Sequence, residues 1–119
     1  MAYVDGFLLA VPKKNLNAYA KIAAIGKKVW MKHGALDYKE CVGEDMTVHP
    51  GCGAGFPKLM RLKTGEVPVF SYIVYKSRKH RDQVNAKVFK EMEKLGKFKK
   101  MPFDMKRMQS GGFAVLVGA

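Results

Sequence analysis

The chain has 119 residues and a mass of 13.3 kDa, enough for one domain over 1–119 and too little for a second core. Apolar residues make up 48% and charged residues 27%, values that exclude a disordered or collagen-like chain. The net charge of +12 permits contact with nucleic acid or a membrane surface without demonstrating either.

In chain order, Tyr3 to Val11 is an apolar run closed by Pro12 and predicts a strand. Leu16, Tyr19, Ile22, Ala23, Gly26, Val29, Trp30 and His33 then recur at helical spacing. They predict one buried helix stripe, with Asn15 as N-cap and Gly34 as stop. Lys14, Lys21, Lys28 and Lys32 occupy the opposite face. Leu36 to Glu44 alternates, placing Leu36, Tyr38, Glu40 and Val42 on one side of a second strand.

The glycines and prolines of 45–57 predict a loop, read as a flap over one end of the sheet. Val67 to Tyr75 is the clearest strand, with Pro68 at its start or at an edge irregularity. Ser77 caps a second long helix whose Val84, Val88, Met92 and Leu95 face inward, and Gly96 ends it. Arg107 to Val117 predicts the last strand, where Gly111-Gly112 marks either a bulge or a close backbone contact.

The order β-α-β-β-α-β predicts an α+β, ferredoxin-like domain, a four-stranded antiparallel sheet with two helices on one face. Both faces of the first and third strands are apolar, whereas a half-wetted sheet should show a polar side. The helix-free face therefore needs a cover. Two helices cannot supply it, so a homodimer through the sheet faces is expected.

No apolar run approaches the roughly 20 residues of a membrane span, and the first residues do not read as a signal peptide. Cys41 and Cys52 could form one disulfide, but a single bridge is a poor match to a small secreted scaffold. They are read as reduced thiols of a cytoplasmic protein.

Glu40 and Asp5 are carboxylates on the more apolar side of predicted strands. Such a group is costly to bury unless paired. Each is either an acid, base or ligand anchor in a pocket or a strand-end residue balanced by a salt bridge. With Tyr38, Ser71 and His33 they form the candidate pocket: Glu40 as base or anchor, Ser71 and Tyr38 as hydrogen-bond donors. His33 also reads as a helix-terminal residue favoured by the dipole. Cys41, His49 and Cys52 lack metal-ligand spacing, so no metal and no cofactor are expected. Gly51 to Gly55 lacks the Gly-Lys-Ser/Thr ending of a P-loop and opens no periodic helix, which also removes a dinucleotide-binding reading.

Arg78, Lys79, Arg81, Lys99 and Lys100 are basic-surface candidates. Through them RNA could bind by phosphate contacts that weaken with salt. The third strand lacks the basic-glycine lead of an RNA-recognition motif, so this is the weaker alternative to a small-molecule pocket.

Tyr3-Val4-Asp5-Gly6-Phe7, Gly34-Ala35-Leu36 with Glu40-Cys41, Val69 to Tyr75 followed by Ser77 and Arg81-Asp82, and Met101-Pro102-Phe103-Asp104 with Lys106-Arg107-Met108 and Gly111-Gly112-Phe113 carry a resemblance. The chain resembles an uncharacterised, single-domain bacterial family of the dimeric α/β-barrel superfamily. Its members often carry the description "RNA signal recognition particle 4.5S RNA". The resemblance implies the ferredoxin-like fold and a dimer with sheets face to face. It implies no reaction and no catalytic set. Thr47 to Gly55 departs from the family, which usually has a more acidic, less glycine-rich loop there, and the lysine surplus is also unusual for it.

Overall fold

A computed structural model describes residues 1–96 and 100–118. Strand β1 (Tyr3–Pro12) leads through a 3-10 turn (Lys13–Asn15) into helix α1 (Leu16–Lys32). Strand β2 (Asp37–Val42), a short helix α2 (Phe56–Leu59) and strand β3 (Glu66–Tyr75) follow. Helix α3 (Arg78–Leu95), a 3-10 turn (Met105–Arg107) and strand β4 (Gln109–Ala114) complete the chain. The four strands form one antiparallel sheet in the order β2-β3-β1-β4, the ferredoxin-like arrangement.

Both long helices pack on one face. Val29 of α1 and Val84 and Val88 of α3 share a cluster with Tyr38, Ile73 and Tyr75. A second cluster joins Leu9, Val11 and Val69 to Tyr19 and Phe103. Every second strand residue points at this layer, as the pleat requires. The extents are 41 × 36 × 20 Å and the radius of gyration is 15.3 Å, above the about 13.5 Å of a compact domain of this length. The molecule is a two-layer slab whose helix-free sheet face carries no helix layer among the described residues and meets Met46 and Phe56, beside Leu8 and Phe70, at one end. Among the described residues no helix is long and apolar enough to cross a membrane.

Local signals explain most boundaries. The Ser77 Oγ accepts from the His80 N–H at 3.1 Å, and Gly96 closes α3 in the left-handed region at φ 61°, where a side chain would be strained. Asn15, expected as an N-cap, makes no cap hydrogen bond. Its amide donates to the Pro102 carbonyl at 3.0 Å instead, tying the start of α1 to the segment before β4. The expected loop 45–57 runs into α2, where Pro57 lies in the first turn, a position that lacks an intrahelical N–H partner in any case.

The expected last strand, Arg107 to Val117, is shorter at both ends. Asp104 accepts from the Lys106 N–H at 3.0 Å and turns Met105–Arg107 into a 3-10 turn. At the far end β1 begins at Tyr3, opposite Ala114, so the ladder runs out of partner. The register through Gly111 and Gly112 is continuous, so the glycine pair is no bulge. The Tyr3 ring lies against Gly112 where a Cβ would stand, the close-contact alternative.

Candidate functional site

Register places the site. Glu40, Ser71, Phe7 and Ser110 form one cross-strand row, and Tyr38, Ile73, Asp5 and Gly112 form the next. Over these rows α1 and α3 enclose a cavity of about 540 Å³, within the usual range of small-molecule sites. Glu40, Asp5, Tyr38 and Ser71 all line it.

The first polar group is centred on Glu40. The Tyr19 hydroxyl, from α1, donates to Glu40 Oε1 at 2.6 Å. The Tyr38 hydroxyl, two residues earlier on β2, donates to Oε2 at 2.7 Å. Both tyrosines are less than one-tenth exposed. Burial, then the hydrogen bond and charge of Glu40, push the Tyr19 phenol far above its ordinary range. Burial and then the Glu40 charge do the same for Tyr38. Each therefore remains a neutral donor at physiological pH. Among the described residues no Lys, Arg or His forms an ion pair with Glu40. A carboxylate has about four lone-pair sites, so two phenols leave acceptor capacity facing the cavity.

The second polar group is centred on Asp5, which is 5% exposed. Arg81 Nη1 lies 3.2 Å from Asp5 Oδ1, and the Asn85 amide donates to Oδ2 at 3.4 Å. Asn85 Oδ1 in turn accepts from Trp30 Nε1 at 3.0 Å and from the Tyr75 hydroxyl at 2.9 Å. Burial, followed by the Asp5 charge, raises the Tyr75 phenol. The Arg81 guanidinium sits 4.9 Å above the Tyr3 ring, a cation–π contact. Its Nε lies 2.9 Å from Asp82 Oδ1, but at an angle that makes no hydrogen bond. The contact is one of charge only.

Arg81 is thus turned inward to balance Asp5, not displayed on the basic surface where its Lys/Arg-rich neighbourhood placed it. Arg78, Lys79 and Lys100 are exposed, and Lys99 lies outside the described residues. His33 is not brought to the cavity. Its Nε2 lies 2.8 Å from Glu91 Oε1, which Lys32 also holds at 2.9 Å. These two partners, Lys32 first, lower the Glu91 carboxyl and join the end of α1 to α3.

Sequence reasoning missed Tyr19, Trp30 and Asn85 as polar partners, and Gly26 as a spacer. Tyr19, Gly26 and Trp30 stood on the recognised inward stripe of α1. Asn85 lies one helical turn beyond Arg81, and an Asn beside the inward Val84 was the available signal. Among the described residues no three His, Cys, Asp or Glu side chains are placed to hold a metal.

Similarity to known proteins covers almost the whole molecule. A family described as "Protein of unknown function (DUF1428)" matches residues 2–105. The chain belongs to this family. "Uncharacterized protein YbaA" of Escherichia coli (strain K12) is 38% identical over 119 residues, covering 98% of each chain. The protein of the same description from Shigella flexneri matches to the same extent. Among solved structures, "De novo designed protein Foldit4" aligns with a TM-score of 0.47 at 12% identity, over 97% of this chain and 99% of that one. The family match carries neither the wider superfamily placement nor the 4.5S RNA description implied by the sequence resemblance. What it establishes is a family of unknown function, and the cavity must be read from its own chemistry.

Proposed function

We propose that this protein binds or transforms a small molecule in the cavity between the sheet and the two long helices. The observation that carries the reading is the state of Glu40: half-buried in the cavity lining, hydrogen-bonded by two phenols, and without a cationic partner among the described residues. A fold gains nothing from an uncompensated carboxylate in an apolar cavity, whereas a ligand anchor or a base needs one. Ser71, next in the row, supplies a hydroxyl beside it.

The working form we propose is a cytoplasmic homodimer. On the helix-free sheet face Val4 pairs with Val74 and Phe113, and Leu8 pairs with Phe70. Phe113 is 62% exposed and Phe70 44%. An apolar sheet face of this kind marks an interface, and a second copy would close the slab from below. Cys41 and Cys52 are both free and exposed, which supports a reducing compartment.

A thermal-shift screen of metabolites tests the pocket. A ligand that raises Tm for the unaltered protein should lose that effect in Glu40→Gln, with the circular-dichroism spectrum unchanged. An equal shift in both proteins would remove Glu40 from the site.

A further inference from the structure

We propose that the cavity selects a singly charged amine carried on an aromatic or apolar body, with its ammonium group seated on Glu40. This rests on the reading of the cavity as a ligand site and adds the chemical class of the ligand.

Charge balance comes first. Asp5 is balanced by Arg81 at 3.2 Å, so that end of the cavity is close to neutral. Glu40 is held only by Tyr19 and Tyr38, and neutral phenols cancel no charge. One negative charge is left over in a partly open, largely apolar cavity. An anionic ligand would be repelled there, and a neutral one would leave that charge in place. A monocation removes it.

Hydrogen-bonding capacity agrees. An ammonium group brings three donors and no acceptor. Around Glu40 the vacancies are acceptors: the remaining carboxylate lone pairs and the lone pairs of the two phenol oxygens. Trp30 and Tyr38, with ring centroids 5.7 Å apart, both line the cavity, and aromatic faces attract a cation. One carboxylate with two protonated phenols is a poor donor set for calcium or magnesium, which take six or more oxygens.

The rest of the lining sets the body of the ligand. Phe7, Phe89 and Trp30 give aromatic surface, and Met92, Met101 and Met108 give a wall that adapts to shape. The lysine-rich exterior does not oppose this preference strongly. Exposed charges more than about 8 Å away are largely screened at physiological ionic strength, and no lysine forms an ion pair with Glu40 among the described residues.

The test uses three probes that share a phenyl ring and two-carbon arm: phenethylamine, 2-phenylethanol and 3-phenylpropionate. Trp30 is the single tryptophan and lines the cavity, so its fluorescence reports occupancy, with calorimetry as the second readout. Phenethylamine should bind the unaltered protein about tenfold or more tighter than 3-phenylpropionate, the worth of one charge-assisted contact. Glu40→Gln should bring the two within about threefold while 2-phenylethanol changes little. Equal binding of amine and acid would overturn the class while leaving the pocket intact. So would an amine advantage that survives Glu40→Gln. The ranking in the unaltered protein decides the matter even if the variant folds poorly. Failure of all three probes overturns the inference, and the pocket reading falls with it only if the metabolite screen is blank as well.

Discussion

A Cβ added to Gly26 would stand 3.0 Å from the Tyr38 hydroxyl oxygen. Gly26 lies inside a 17-residue helix, where glycine costs roughly 1 kcal/mol relative to alanine. The gap it leaves is filled by the phenol that donates to Glu40.

Gly26→Ala therefore sets two effects against each other. Helix propensity favours alanine by about 1 kcal/mol, while the new methyl crowds a hydroxyl already committed at 2.7 Å to Glu40. The expected result is no gain in Tm. In a Tyr38→Phe background the obstacle is gone, and the same change should raise stability by about 1 kcal/mol. Thermal denaturation of the four proteins of this cycle measures it. A rise of several degrees in the Gly26→Ala single variant would show that the hydroxyl gives way without cost.

The phenols should also be visible in alkaline titration. The chain has five tyrosines, and Tyr19, Tyr38 and Tyr75 are all raised by burial. In the unfolded chain they ionise near pH 10. A group raised on folding stabilises fully below its unfolded value and loses that contribution as pH climbs toward the folded one. Absorbance at phenolate wavelengths should therefore show these three ionising only as the protein unfolds, with stability falling above about pH 10. Smooth reversible titration of all five in the folded protein would contradict the buried hydrogen-bonded geometry.

Acid stability should depend on Glu66 and Arg107. Arg107 binds Glu66 through both Nη atoms, at 2.6 and 3.0 Å, and donates to the Arg61 carbonyl at 3.0 Å. The Arg107 hydrogen bond, followed by the Lys63 N–H, lowers the Glu66 carboxyl. A lowered carboxyl stabilises fully above its unfolded value, near 4.3, and that contribution fades as pH falls through the folded value. Arg107→Ala should lower stability at pH 7, and the gap to the unaltered protein should narrow below about pH 4.3. Chemical denaturation across pH 3–7 checks it; a gap constant with pH would rule out this ion pair as the source.

The proposed dimer is tested on the helix-free face. Light scattering should give a mass near twice 13.3 kDa. Phe70→Glu with Phe113→Glu should shift the protein to monomer while the helix-facing core stays folded. A monomer in the unaltered protein at micromolar concentration would leave the apolar face without its proposed cover.

Much of this molecule was readable in advance. Alternation in 3–11 and 67–75, and the three-four spacing from Leu16 to Trp30, are local properties of the chain, and the order of elements followed from them. Ser77 and Gly96 were legible because a cap acts within a few residues. Asn15 does stand at the N-cap of α1, but its side chain makes no cap bond and binds the carbonyl of Pro102, 87 residues away, a partner no local pattern announces. Arg81 was misread because its sequence neighbours are basic and exposed, whereas Asp5 lies 76 positions distant.

The periodicities of two and of three to four residues determined by themselves which residues would share a face of their own strand or helix, because side-chain direction follows from backbone geometry within a single element. Only the tertiary structure decided which of those groups meet. Strand register and the rotation of each helix over the sheet are settled by packing across the whole domain, and they seat Tyr19 on Glu40 and Arg81 on Asp5, leaving one carboxylate balanced and the other open.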